Sequence, residues 1–149
     1  MLDMLAAAMA LATASPQALP TAQSLPAIVV HAPKAALHLQ VARTESQRER
    51  GLMSVTHLPV HTGMIFVFDS DALVAFWMKD TLIPLDMVFV GSDGTVRKIY
   101  ANVSVVSPDM PDDRIPRETG AAKFVIELPA REAAADGLSP GVRLQSLPK

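Results

Sequence analysis

Residues 85–100 read LDMVFVGSDGTVRKIY. The apolar run from Leu85 to Val90 has the length and composition of a strand that is buried on both faces. Asp93-Gly94 is a strong turn signal, because Gly and Asp accept the positive φ that tight turns require. Thr95 to Tyr100 then follows as a second strand. The stretch therefore predicts a β-hairpin.

Strand patterns recur on both sides of this hairpin. Leu37, Leu39 and Val41 alternate with less apolar residues, which is the period of a half-buried strand. Gly63 to Phe68 is a continuous apolar run, which predicts a strand buried on both faces. Further strands are predicted at Val74–Met78, Phe124–Leu128 and Val142–Ser146, with a short one at Ile28–Val30.

Two short helices are predicted between the strands. Ser46 and Glu49 have the capping-box spacing, and Gly51 can end the helix that they begin. The second helix covers Ala130 to Ala135, with Gly137 at its end. No long crossover helix fits between the strands, which argues against parallel βαβ units. The pattern predicts a mainly β fold, a small antiparallel barrel or sandwich of about six or seven strands with two short helices.

Composition excludes several functional classes. The chain has 149 residues, with 13 Lys and Arg against 15 Asp and Glu, for a net charge of −2. Without a basic surplus, a nucleic-acid partner is not expected. Cysteine is absent, which excludes disulfides, thiolate nucleophiles and cysteine metal sites. Half of the residues are hydrophobic (50%), enough for a packed core.

The N-terminal region resembles an export signal. Met4 to Ala14 is an apolar run, too short to span a bilayer, and Ala12-Thr13-Ala14 fits a cleavage site. The basic start of such a signal is missing, so a buried amphipathic helix is the alternative. We expect an exported protein, periplasmic or extracellular, with no transmembrane segment in the mature chain. The predicted organisation is a signal peptide at 1–14, a Pro-rich linker at 15–34 and one β-rich domain at 35–147.

The most unusual stretch is FWMKDTLIPLD, residues 76–86. Strand alternation places Trp77 and Lys79 on the same face. A tryptophan beside a lysine can stack on a ring or sugar and bind an anion. The alternative is a core tryptophan, with Lys79 paired to Asp80 or Asp86.

Asp86 lies between apolar residues and must be satisfied by hydrogen bonds or used in chemistry. In the structural interpretation it accepts hydrogen bonds from amides of the Thr81–Pro84 turn, and this interpretation is favoured. In the chemical interpretation it is a general base.

No metal or cofactor site is predicted. His57 and His61 are four residues apart, but Pro59 between them prevents a shared helical face, and no third ligand is in register. The methionines outside the signal are assigned to core packing rather than to copper. The chain contains neither a Gly-x-Ser-x-Gly nucleophile motif nor a Gly-rich phosphate loop.

Five segments, taken in order, resemble the domain-of-unknown-function family 192. The segments are Arg50-Gly51-Leu52-Met53, GMIFVF at 63–68, FWMKDTLIPLD at 76–86, Asp93-Gly94 and Val125-Ile126-Glu127-Leu128. The resemblance implies a compact, mainly β domain, often exported, with no settled activity and no catalytic residue to transfer. The chain departs from the family at Asp80, where Asn is usual, and near Arg131, where Gly is usual. The loop from Pro108 to Ala122 also lacks the family's cysteines and tyrosine.

Three functions remain open. The first is an exported module that binds a small polar or sugar-like ligand through Trp77, Lys79, Asp80 and Asp86, with Arg50. The second is a hydrolase or lyase with Asp86 as general base and Lys79 as electrostatic stabiliser. The third is a structural interaction domain of the envelope. The ligand, the reaction and the oligomeric state are left open by the sequence.

Overall fold

The computed structural model describes residues 21–149, so the predicted signal peptide and the start of the linker lie outside the described range. Within that range no helix is long and apolar enough to cross a membrane. The elements are β1 (Ala27–His31), β2 (Ala36–Ala42), α1 (Glu45–Arg50), β3 (Thr62–Phe76), β4 (Leu85–Val90), β5 (Val96–Val103), β6 (Glu118–Pro129) and α2 (Glu132–Ala135), with a 3-10 turn at Asp112–Arg114. β1 corresponds to the short strand expected at Ile28–Val30.

The six strands form one open sheet in the order β1-β2-β3-β6-β4-β5. The mainly β fold and the two short helices are confirmed, and β4 and β5 form the expected antiparallel hairpin. β2 and β3, however, are parallel. The expectation of a purely antiparallel sheet is therefore wrong at this pair. A parallel crossover does not need a long helix, because residues 43–61, with the six-residue α1 among them, span the required distance.

β3 is one strand where the sequence predicted two. It continues from Thr62 to Phe76 and pairs with β6 along its length, with a register shift between Val67 and Ala72. The shift marks a bulge, and bulges bend strands. The bend brings the ring of Phe76 to 4.8 Å from the ring of Phe66, in an edge-to-face contact. A straight strand would separate these residues by about 33 Å. The far half of β3 thus folds back over its own beginning.

The middle of the sheet is buried on both faces: the first half of β3, as the apolar run from Gly63 predicted, with β4 and residues 124–128 of β6. Ile65 and Val67 point to the first face, where Ala133 of α2 and Leu144 of the C-terminal segment complete the core. Met64 and Phe66 point to the second face. They pack there with Leu52 from the turn after α1, Val74 and Phe76 at the end of β3, and Met78 just after it. The strand predicted at Val142–Ser146 is reduced to two isolated bridges.

α1 ends as predicted but begins differently. Its N-cap is Thr44, which forms a capping box with Gln47, so the expected pair of Ser46 and Glu49 is wrong by two residues. Thr44 is the N-cap because its side chain accepts a hydrogen bond from the backbone amide of Gln47, while the Gln47 side chain accepts one from the backbone amide of Thr44. Gly51 is the C-cap, with φ 47°.

Candidate functional site

A cavity of about 310 Å³ lies between α1 and the bent end of β3 on the second face of the sheet. We call it the α1 cavity. Its lining comes from α1 and the turn after it (Glu45, Arg48, Glu49, Arg50, Gly51, Leu52, Met53), from β3 (Phe66, Phe68, Ala75, Phe76), from the segment after β3 (Trp77, Lys79, Thr81) and from β6 (Glu127).

The aromatic side of the α1 cavity ends in a cationic cluster around Trp77. The Arg117 guanidinium lies 3.8 Å from the centre of the Trp77 ring, and Lys79 Nζ lies 5.2 Å from it. Lys79 also pairs with Asp112, at 2.6 Å between Nζ and Oδ2. Trp77 is half-buried rather than part of the core, and Lys79 pairs with neither of the aspartates that the sequence suggested. Cation–π contacts of this kind hold the ring in place.

The helical side of the α1 cavity is fixed by contacts at the end of α1. Arg48 donates to the Val67 carbonyl at 3.1 Å and lies 4.9 Å from the centre of the Phe68 ring. The side-chain amide of Gln23 donates to the carbonyls of Gln47 at 2.8 Å and Gly51 at 2.9 Å. Carbonyls at a helix end otherwise lack partners. Gln23, in the segment before β1, therefore stabilises the C-terminus of α1, which forms one wall of the α1 cavity.

Glu127 is the most unusual group of the α1 cavity. It lies on β6 between Met64 of β3 and Met87 of β4 and is 4% exposed. Burial raises the pKa of Glu127 to about 8. Desolvation is the one cause of this shift, and no hydrogen bond from a described side chain or amide to the carboxyl contributes to it. An unpartnered buried carboxyl is costly and is expected where a ligand binds or a proton moves.

Sequence reasoning missed Glu127 as a site residue. The available signal was an acidic residue inside the apolar strand from Phe124 to Leu128, the same signal that drew attention to Asp86.

The sequence-predicted site residues divide into two groups. Arg50, Trp77 and Lys79 all line the α1 cavity. Asp80 lies beside it, in an adjoining pocket that shares these three residues. Asp80 has φ 51°, a left-handed conformation that Asn and Asp tolerate best among residues with side chains. The fifth residue, Asp86, does not line either pocket.

Asp86 is satisfied by backbone amides, but not by those expected. Its Oδ1 accepts from the amides of Asn102 at 2.8 Å and Arg131 at 2.9 Å. Its Oδ2 accepts from the amide of Ala133 at 2.8 Å. The prediction that the Thr81–Pro84 turn supplies the donors is wrong, because the strand carries the Asp86 side chain toward the start of α2 and the end of β5. Asp86 thereby ties β4 to both elements.

Outside the α1 cavity, His61, Glu132 and Asp136 bring three metal-type donor atoms within 4.8 Å of one another. His57, the other histidine weighed as a ligand, is not part of this cluster. The two carboxyls beside His61 come from α2 and its C-cap, more than 70 residues away in the sequence, where local spacing gives no signal.

Comparisons with known proteins agree on the fold and give no activity. The model of the family DUF192, described as Uncharacterized ACR, matches residues 28–146. A crystal structure from Sinorhizobium meliloti 1021, of a protein named provisionally as a transcription regulator, is 35% identical with a TM-score of 0.72, covering 84% of this chain and 97% of that one. A protein of unknown function from Novosphingobium aromaticivorans DSM 12444 is 28% identical with a TM-score of 0.71, covering 88% and 94%. No curated protein matches significantly.

Proposed function

We infer that this chain, which belongs to the DUF192 family, is a binding protein for a small polar, sugar-like ligand, and that the ligand occupies the α1 cavity. The observation that carries the proposal is the unpartnered carboxyl of Glu127 in the cavity lining. A carboxyl with a pKa near 8 is mainly protonated at pH 7 and offers one O–H donor. A ligand oxygen that accepts this hydrogen bond compensates the cost of burying the group.

The size and lining of the α1 cavity favour a ligand of one ring. Small-molecule pockets run from about 300 to 1,000 Å³, and this cavity, at about 310 Å³, is at the small end of that range. A lining of aromatic rings and a few polar groups is typical of sites whose ligand stacks an apolar face on a ring and forms hydrogen bonds through its polar groups. Arg117 covers one face of Trp77, so the ligand contacts the remaining surface of that ring.

The charges of the α1 cavity favour a neutral or acidic ligand over a cationic one. Its lining carries three cationic side chains, Arg48, Arg50 and Lys79. Two carboxylates, Glu45 and Glu49, oppose them when Glu127 is protonated. Arg48 and Arg50 then balance these two carboxylates, and Lys79, which pairs with Asp112, is the cation that the carboxylate of an acidic sugar would share.

A thermal-shift screen with monosaccharides and uronic acids tests the proposal. A ligand that binds only the folded state raises the unfolding temperature by mass action. We expect a saturable rise with at least one compound, and its loss in Glu127→Leu, which keeps bulk but removes the O–H donor. Asp80→Asn is the matched control and should keep the rise. No shift with any compound, or an equal shift in Glu127→Leu, contradicts the proposal and favours the envelope-domain hypothesis instead.

A hydrolase remains the second candidate, with the catalytic group moved from Asp86 to Glu127. Asp86 has both carboxyl oxygens occupied by amides, whereas Glu127 has a raised pKa in a cavity, as general acids do. Turnover of a bound sugar derivative that falls as pH rises through about 8, and that is lost in Glu127→Gln, would favour this candidate. Binding without turnover supports the binding protein.

We also propose that the domain acts outside the cytoplasm. The support is the apolar run from Met4 to Ala14, followed by a Pro-rich stretch. N-terminal sequencing of the protein from cell fractions tests this, and cleavage after Ala14 is expected. Intact Met1 confined to the cytoplasmic fraction contradicts export.

A further inference from the structure

A second polar cluster lies on the opposite side of the sheet from the α1 cavity. Its members are His61, which directly precedes β3, and two residues of the α2 region, Glu132 and Asp136. Glu132 and Asp136 are four residues apart, so the helical turn presents both carboxylates on one side. His61 Nδ1 lies 2.9 Å from Glu132 Oε1 and 2.8 Å from Asp136 Oδ1.

When both carboxyls are ionised, residues 21–149 supply too few hydrogen-bond donors for this cluster. The Nδ1 atom of His61 carries at most one proton, yet two carboxylate oxygens lie within hydrogen-bond distance of it. Asp136 is 1% exposed, and its Oδ2 atom is buried with no hydrogen-bond partner in the described part of the chain. A buried acceptor without a donor costs about 1–3 kcal/mol. An ion pair between His61 and the two carboxylates therefore leaves part of the cluster unsatisfied.

We propose that His61, Glu132 and Asp136 form a binding site for a divalent transition metal such as Zn²⁺. This inference does not depend on the function proposed for the α1 cavity. A cation accepts lone pairs from all three side chains at once, and it provides the buried Asp136 carboxylate with the positive partner that a single imidazole proton does not.

The spacing of the donor atoms suits such a metal. With bonds of about 2.1 Å, the tetrahedral geometry usual for Zn²⁺ places ligand atoms about 3.4 Å apart, and an octahedral site places neighbouring ligand atoms about 3 Å apart. The separations of 2.9 Å and 2.8 Å between His61 Nδ1 and the two carboxylate oxygens are close to the octahedral value. One imidazole with two carboxylates favours Zn²⁺ or Mn²⁺ over Mg²⁺ and Ca²⁺, which prefer oxygen ligands alone.

The surroundings orient the ligands and leave an approach for the ion. The backbone amide of His61 donates to Glu132 Oε1 at 2.9 Å, which fixes that carboxylate. Asp86 holds the start of α2 through the amides of Arg131 and Ala133, so the helix that carries both carboxylates is anchored. The His61 side chain is 46% exposed, so water can complete the coordination from the solvent side.

Calorimetric titration of the full chain with ZnCl₂, after removal of metals with a chelator, tests the site. We expect binding of one ion per chain, a matching rise in the unfolding temperature, and no comparable effect of MgCl₂. His61→Asn removes the imidazole, and Asn tolerates the φ of 60° at this position. It should weaken Zn²⁺ binding by about tenfold or more.

His57→Asn is the matched control, because His57 is an exposed histidine of the same connection and lies outside the cluster. It should bind Zn²⁺ as the parent does. Absence of saturable one-to-one binding in the parent, or equal affinity in His61→Asn and the parent, overturns the proposal. Equal losses in both histidine variants also overturn it, since they would place the ion elsewhere.

Discussion

At the scale of single residues, two acidic side chains on neighbouring strands have opposite environments. Asp86 of β4 is directly opposite Leu128, and the next residue of β4, Met87, is directly opposite Glu127. Consecutive residues of a strand point to opposite faces, so the two carboxyls lie on different sides of the sheet. The Asp86 carboxylate accepts hydrogen bonds from three amides, whereas no hydrogen bond from a described residue contributes to the pKa of the Glu127 carboxyl. Asp86 therefore has a structural role, and Glu127 is the carboxyl that the proposed ligand of the α1 cavity would contact.

Asp86→Asn should destabilise the protein. The change removes the charge and turns one acceptor into an amide that faces an N–H donor. Hydrogen bonds to charged groups contribute about 1.5–3 kcal/mol, so the free energy of unfolding should fall by about 2 kcal/mol or more. Urea titration of parent and variant measures the difference. Equal midpoints would contradict the structural role of Asp86.

Asp80→Asn makes the same chemical change at a half-buried position and should be nearly neutral. Its φ of 51° lies in the left-handed region, where Asn is at least as well tolerated as Asp. The same urea titration should place its midpoint within about 0.5 kcal/mol of the parent. A loss as large as that of Asp86→Asn would show that Asp80 has a structural contact of its own.

The sequence predicts that acidic residues such as Asp86 are buried, but it does not predict which groups donate hydrogen bonds to them. An acidic residue among Leu, Met and Val must be buried, and this was recognised at Asp86. Its donors lie 16 to 47 residues further along the chain, beyond the reach of local pattern reasoning. The same sequence signal is present at Glu127, within the correctly predicted strand of Phe124–Leu128, but the local pattern does not show that this carboxyl faces a cavity.

At the scale of elements, the end of α1 shapes the α1 cavity. Gly51 has φ 47° and ψ −132°, a conformation that only Gly adopts readily. A Cβ atom there would lie 3.2 Å from the Phe66 ring, which also lines the cavity. Gly51→Ala should therefore lower the free energy of unfolding by more than the roughly 1 kcal/mol typical of positive φ alone. It should also weaken the binding of any ligand in the α1 cavity.

Gly141→Ala separates the two contributions. Gly141 has φ 94°, and a Cβ atom would meet nothing within 4 Å. Denaturation midpoints of both variants should show the larger loss for Gly51→Ala. A loss no larger than that of Gly141→Ala would indicate that Phe66 moves aside freely.

The types of the elements follow from local pattern, whereas their pairing does not. Alternation and apolar runs located β2, β4 and β6, and turn residues located the hairpin of β4 and β5. The parallel pairing of β2 with β3 depends on contacts between distant residues, for which spacing gives no signal. Val142–Ser146 has the composition of a strand, yet it forms only single bridges, since strand composition alone does not provide a neighbouring edge.

At the scale of the whole molecule, burial of Glu127 should make stability depend on pH. Its pKa is about 8 in the folded protein, above the ordinary value of 4.5, so the folded state holds a proton that the unfolded state releases between these values. Stability from this group is fully present below pH 4.5 and is lost as the pH rises to about 8. The slope is about 1.4 kcal/mol per pH unit within this window.

Glu127→Gln should remove this dependence, because Gln stays neutral at every pH. Urea unfolding at pH 5, 6.5 and 8 tests it, with the difference between variant and parent as the measured quantity. The groups that both proteins share, including Asp136 with its raised pKa, then largely cancel. The variant should match the parent near pH 5 and exceed it by several kcal/mol at pH 8. If the stabilities of parent and variant instead change in parallel across the whole pH range, the Glu127 carboxyl ionises normally. The proposal that it offers a protonated O–H donor in the α1 cavity would then be contradicted as well.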